Sequence, residues 1–227
     1  MAESLTKHLF FAKSTGARSA FCAEVFDEHV PRLRPLARGA LKIGLTERDN
    51  PRLTVLPLRR ENLLMVSAWG DIDPGAFVHT LSGGGREVFG YRVAESYPRS
   101  YERTWADGER SPGDVLLTLL AKNPKLSHDE FMNEWHGRHT PKALRIHPMW
   151  SYARNVVEEA VTNGAPRFEG VVEEHYETLA DIINPVRMFG GARRFLPHMI
   201  EVGRHAGHFL DLRRSENYLL AEWHILS

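Results

Sequence analysis

An α+β fold is what the sequence predicts, with two β-α-β-β-α-β units closing on each other as one barrel inside a single chain. Three observations lead there. First, the chain repeats itself: "FCAEVFDEHVPRL" from Phe21 returns as "FMNEWHGRHTPKAL" from Phe131. The pairs Phe21/Phe131, Glu24/Glu134, His29/His139 and Pro31/Pro141 each lie 110 residues apart. Second, strand-like segments flank both copies at matching places, so the repeat is of whole units. Two copies of so long a period do not make a solenoid. Third, two helices cover only one face of a four-stranded sheet. The other face would be too large an apolar patch to leave in water, and two units in one chain bury it by closing face to face.

Each element follows in order. "KHLFFAK" at 7–13 is the first strand, followed by the helix of residues 21–33. "ALKIGLTER" at 40–48 and "NLLMVSAWG" at 62–70 are the second and third strands. "DPGAFVHTLS" at 73–82 is a short helix, with Asp73 as its N-cap and Pro74 in its first position. "FGYRVAESY" at 89–97 closes the unit. The stretch "PRSYERTWADGERSPGD" carries turn residues and charges and reads as a linker. The units are thus expected at residues 1–105 and 112–227. In the second, strands are expected at 114–122, 150–158, 169–177 and 217–226. Its first helix lies in 126–144, and a helical region across 178–212 is broken at "NPVRMFGGARRFLP". This order of elements is that of two ferredoxin-like units. A homodimer is compatible with the fold but not required by it.

Composition limits the partners. Lysine and arginine total 29, as do aspartate and glutamate, so nothing draws the chain to nucleic acid or an anionic membrane. The single cysteine, Cys22, excludes an internal disulfide and any cysteine-rich metal site. A reducing, cytoplasmic setting follows from that. No signal-peptide core is expected at the start, and no apolar run is long enough to span a membrane. Of 12 histidines only His8, His29 and His79 precede residue 110. The second half is where imidazole chemistry would be found.

The segment "LLAKNPKLSHDEFMNEWHGRHTPKA" resembles the signature of the EthD-like family within the dimeric α/β-barrel superfamily. That signature is a strand, a lysine-bearing loop, then Phe-x3-Trp-x3-His-x-Pro on the first helix. "HFLDLRRSENYLLAEWHIL" at 208–226 resembles the family's last helix end and last strand. The first half keeps Phe21, His29 and Pro31 but has Val25 where the family has Trp. The resemblance implies a lumen that binds a small, mostly apolar or aromatic organic molecule. Similar domains in fungal aromatic-polyketide pathways are described as dehydratases or decarboxylases, and haem-binding and cofactor-free monooxygenase relatives share the wider superfamily.

Candidate residues come from three places. Ser127 and Glu130 form a capping box that starts the helix. On a wheel of about 100° per residue, Phe131, Trp135, His139 and His136 share a broad face, and Glu134 points away. His139 and His136 are the candidate proton carriers, since imidazole suits general acid/base work at neutral pH. His139 has an equally good structural reading, because its counterpart His29 also precedes a proline. Trp135 is core or cavity wall. In the last strand Leu219, Ala221, Trp223 and Ile225 alternate with Tyr218, Leu220, Glu222 and His224. The wholly apolar set belongs under the helices. Glu222 and His224 therefore face the barrel, as a site or as a seam between the halves. Tyr152 and Arg154 share a strand face with Trp150 and are candidate cavity residues. His198, Glu201, His205 and His208 form a helical stripe that could ligate metal or haem, though the sharper motif H-E-x-x-H is missing. A solvated face is the simpler reading. "LSGGGREVFG" at 81–90 is a flexible loop that could cover the barrel mouth. The expectation is a lyase-type enzyme without cofactor or metal. Its rivals are a non-catalytic carrier of a hydrophobic metabolite and a haem or metal oxidoreductase.

Overall fold

Every predicted strand segment forms a strand, because each is an apolar run or alternation bounded by turn residues. The computed structural model describes residues 6–51 and 54–227, so the start of the first expected unit lies outside the described residues. The strands are β1 (Lys7–Ser14), β2 (Leu41–Leu45), β3 (Asn62–Trp69), β4 (Glu87–Arg99), β5 (Asp114–Leu120), β6 (Ser151–Ala160), β7 (Gly170–Tyr176) and β8 (Glu216–Leu226). They close into one antiparallel barrel in the order β1-β3-β2-β8-β5-β7-β6-β4. The two halves meet through β2 on β8 and β4 on β6. Within each half the order is the same: fourth, first, third, second.

Helices cover the outside. In the first half α1 (Arg18–Glu24) continues through a π-helical turn, Val25–His29, into α2 (Val30–Leu33), and α3 (Pro74–Leu81) follows β3. Asp73 caps α3 through the Gly75 N–H, with Pro74 at its start. In the second half α4 (His128–Met132) opens on the Ser127–Glu130 capping box. It passes through a π-helical stretch, Asn133–His139, into α5 (Thr140–Ile146). The broken region resolves into α6 (Leu179–Ile183), α7 (Pro185–Met188) and α8 (Phe195–Phe209). No helix is long and apolar enough to cross a membrane among the described residues.

The π-helical stretches share a cause. Pro31 and Pro141 each sit deep inside a continuous helix, just past its π-helical stretch. A proline there has no N–H to give and its ring crowds the carbonyl four residues back. The backbone widens instead to bonds spanning five residues, Val30 N–H to Val25 O and Thr140 N–H to Trp135 O. Such wide turns are frequent at functional sites. Here the widening moves Glu134 from the outer face assigned by the α-helical wheel to a buried position.

Three apolar clusters result. One fills the lumen, with Phe11, Met65, Phe89, Leu117, Tyr218 and Leu220 from both halves. One lies under each set of helices. In the second half Trp135 crosses the start of β7 so closely that only glycine fits at residue 170. A Cβ there would stand 2.3 Å from the indole ring. The Gly170→Ala variant should lose about 1–3 kcal/mol, the usual penalty for overpacking. Urea unfolding measures it, and an unchanged midpoint would mean the ring is free to move aside.

Candidate active site

A cavity of about 360 Å³ opens between the outer face of the second half's sheet and its own helices. Its floor is Leu116 and Thr118 of β5, Tyr152 of β6, and Val172 and Glu174 of β7. Trp135 and His139 stand at one wall. Met199, Val202, Ala206 and Phe209 of α8 form the roof, and Val55, Leu56 and Pro57 reach in from the first half. The lining is mostly apolar with a few polar groups, the usual character of a small-molecule site. Tyr152 is fully enclosed, and burial, with the Glu174 carboxylate beside it, pushes its hydroxyl up to about 12. It is a neutral donor at neutral pH. Thr118 donates to the Asn217 side chain at 3.0 Å. His147 is held at the Met188 carbonyl through Nδ1, at 3.1 Å.

His139 joins the cavity wall to a chain of hydrogen bonds. Its Nδ1 meets Nδ1 of His205 at 3.0 Å, and Nε2 of His205 meets the Glu134 carboxylate at 3.0 Å. The chain has a preferred direction of donation. A carboxylate only accepts, so His205 carries its proton on Nε2 and offers a lone pair at Nδ1. His139 then donates from Nδ1, which leaves a lone pair on its Nε2. That nitrogen has no partner among the described residues. Burial, then the neighbouring His205, His147 and Lys142, pulls His139 down to about 3, so it is neutral at pH 7. His205 also borders an open groove on the outside of α8, together with Lys142 and His208. The two imidazoles thus join the cavity to solvent.

The wide helical turn makes this arrangement. Glu134 and His139 are five residues apart, about 140° around an α-helix. A π-helical turn, whose bonds span five residues, brings such positions closer to one face, and His205 bonds to both. The first half keeps the same pairing without the relay. Glu24 stands 3.8 Å from His29, and Arg86 binds Glu24 in place of a histidine. Neither ring nitrogen of His29 makes a hydrogen bond among the described residues.

The candidate residues divide into three places. Trp135, His139 and Tyr152 line the cavity. His136 and Arg154 do not. His136 packs against the Trp135 ring, and burial with the nearby Arg154 charge lowers it to about 4. Arg154 faces the helices but bonds to Ser96 and Thr140, each at 3.3 Å. Glu222 and His224 face the lumen, as their alternation requires, yet the cavity is not in the lumen. The lumen is filled by apolar side chains and, toward one end, by charge. Lys42 lies 2.7 Å from Glu173 and 2.9 Å from Glu222, and Lys7 reaches Glu95, Asn155 and Glu173. His175 and Ser111 bind Glu222, and Tyr101 binds His224. Burial alone would pull Lys42 down, but Glu173 and Glu222 hold its ammonium well above the ordinary lysine value. Burial would likewise raise both glutamates, but Lys42, aided by Lys7 at Glu173 and by His175 at Glu222, holds them far below the usual carboxylate range. The polar face of β8 is therefore a seam.

The histidine stripe and the glycine loop each have a place of their own. His198 is bound to the Phe189 carbonyl and His205 to His139 and Glu134, while His208 borders the outer groove. The stripe does not converge. Among the described residues Glu173, His175 and Glu222 do converge, within 4.8 Å, but Lys42 already occupies the place between the two carboxylates. Gly83, Gly84 and Gly85 turn the chain between α3 and β4 with left-handed φ angles and do not line the cavity.

Sequence reasoning missed Glu134, His205 in its pairing with His139, Glu174 and the buried lysines. Glu134 had a signal, since it repeats Glu24, but an α-helical wheel hides it.

Residues 123–211 match the EthD domain family. No curated protein matches the chain. Among solved structures, the fold is similar to that of an anthrone oxidase-like protein, at 8% identity over 98% of this chain and 92% of that one, with a TM-score of 0.58. It is similar also to a candidate monooxygenase from Lactobacillus acidophilus NCFM, at 11% identity over 97% and 94% of the two chains, TM-score 0.51. The segment that supplies the cavity's histidines and most of its roof, residues 123–211, is thus similar to the EthD domain.

Proposed function

We propose that the protein is a cofactor-independent small-molecule enzyme of lyase type, acting in the second-half cavity. The observation that supports this most is the chain from His139 through His205 to Glu134, with His139 at the cavity wall. A bound carbonyl compound would place an acidic C–H against Nε2 of His139. The nitrogen takes that proton, and the C–H electron pair moves toward the carbonyl as an enolate, held by the neutral Tyr152 hydroxyl. Loss of a β-hydroxyl, protonated as it leaves as water, completes a dehydration. In a decarboxylation the neutral imidazole takes the proton of the substrate's carboxylic acid, carbon dioxide leaves with its C–C electron pair passing toward the carbonyl, and the same proton is then given to carbon. His205 shares the positive charge while Glu134 stabilises it. The apolar walls select an apolar or aromatic substrate.

Native mass spectrometry of the purified protein tests the site. A retained aromatic metabolite is expected, and Val202→Trp, which fills the cavity from α8, should lose it. Retention by the filled variant would sink the reading. Turnover of that metabolite separates the alternatives. A product lighter by water or carbon dioxide fits the lyase. A product carrying added oxygen would mean that the same carbanion meets dioxygen, as the monooxygenase and anthrone oxidase-like descriptions of the structural neighbours suggest. Retention without turnover would make the protein a carrier.

Glu134→Gln tests the direction of the relay. An amide can donate to His205 Nε2, which reverses the chain and puts a proton on His139 Nε2. Turnover should fall about 10²-fold or more while the fold is kept, the behaviour of a mis-set tautomer. Unchanged turnover would remove Glu134 from the mechanism.

We read the barrel as two ferredoxin-like units, residues 1–105 and 112–227, arising by tandem duplication. The shared strand order, and the wide helical turn found before Pro31 and before Pro141, support this.

A further inference from the structure

We propose a second binding site, for a small organic cation such as a trimethylammonium group, in an aromatic cage at one end of the barrel. The cage is a hollow of about 270 Å³ lined by Tyr101, Glu102, Trp105, Pro112, Trp150 and Glu177. It shares no lining residue with the second-half cavity. The Tyr101 and Trp105 rings lie parallel at 5.5 Å, and Trp150 stands at right angles to both, at 4.8 and 6.2 Å. The three rings pack on one another and on His175 and His224, and each also borders the hollow. Aromatic faces carry partial negative charge and attract ammonium groups that have no N–H to donate. Glu102 and Glu177 are exposed at the mouth, without ion-pair partners among the described residues. The nearest arginine in sequence, Arg103, is paired with Asp107.

The cage is built rigidly. The linker that carries Tyr101 and Trp105 is pinned to β8 by Gly108 N–H to His224 O and Ser111 N–H to Glu222 O, each at 2.7 Å. Tyr101 is held by His224 at 3.1 Å, and the backbone at Trp150 by its main-chain N–H to the His175 carbonyl at 2.9 Å. Rings fixed before binding lose little freedom when a ligand arrives. A plug sealing the barrel end would need the rings but not two unpaired carboxylates beside them.

Titration with choline, and with its uncharged carbon analogue dimethylbutanol, tests the site through the indole N–H resonances of Trp105 and Trp150. Choline should shift both saturably, and the alcohol should bind about tenfold more weakly or worse. Trp105→Leu should abolish the choline response at Trp150. Should that variant fail to fold, Glu102→Gln/Glu177→Gln keeps the rings and should weaken choline while leaving the alcohol unchanged. His139→Gln, in the other cavity, should leave choline binding intact. Equal affinity for choline and the alcohol would reduce the hollow to an apolar cleft, and no saturable shift would make it a plug. Either result overturns the proposal.

Discussion

Lys42→Met should lower the stability of the fold by about 3–5 kcal/mol, the range for stripping one partner from a buried ion pair. The methionine fills the space, so the loss is electrostatic. Glu173 keeps Lys7 and Asn155, and Glu222 keeps His175 and Ser111. Neither keeps the ammonium shared between them. Urea denaturation at neutral pH measures the loss. The sign of its pH dependence follows from the carboxylates. Their pKa values in the folded protein lie below the ordinary value of 4.5, so their contribution is complete above 4.5 and is lost as pH falls through the lowered values. The gap between wild type and variant should be widest at neutral pH and should close under acid. Adding Glu222→Gln to Lys42→Met should cost less than the two single changes together, since both remove the same pair. Strict additivity would mean that Lys42 and Glu222 do not interact.

His139→Gln should lower turnover of the identified substrate by about 10²–10⁴-fold, the usual share of a positioned acid or base. Substrate retention should persist, because glutamine keeps the wall. The variant also reports on stability. His139 is pulled from 6.5 to about 3 in the folded chain. The unfolded chain therefore takes up a proton first as pH falls below 6.5, and the fold weakens until the folded value is reached. Glutamine does not titrate, so the variant should lose less stability between pH 6.5 and 3 than wild type. Full turnover by the variant would leave His139 as a helix-end residue only, the role its counterpart His29 suggests.

Strand positions were legible because alternation is local. Tyr218, Leu220, Glu222 and His224 were assigned to the lumen, since a wholly apolar opposing set belongs under helices. The same logic failed for Tyr152 and Arg154. Alternation shows that they share a face with each other, but either side of β6 could have been the lumen. Which side carries the cavity is set by closure with the first half and by the roof of α8. Glu134 was hidden by the π-helical stretch, a backbone response to Pro141 that a wheel of uniform pitch cannot show. Nothing in the local sequence marks Lys7 and Lys42 as buried. Their burial becomes visible only when β1, β2, β7 and β8 meet. The stripe of His198, His205 and His208 was legible as a stripe, but which imidazole turns inward depends on Glu134.

The ion pairs of the lumen also determine which halves can join. The first half brings Lys7, Lys42 and Glu95 to the seam, and the second brings Glu173 and Glu222. Two second halves closing on each other would bury carboxylates against carboxylates, and two first halves would leave an excess of ammonium. Only the unlike pairing is neutral enough to be enclosed. The two halves of the barrel are thus complementary in charge rather than alike. A substitution at the seam is tolerated only if the charges still match across it, whereas the cavity, which shares none of the seam's charged residues, is not bound by that condition.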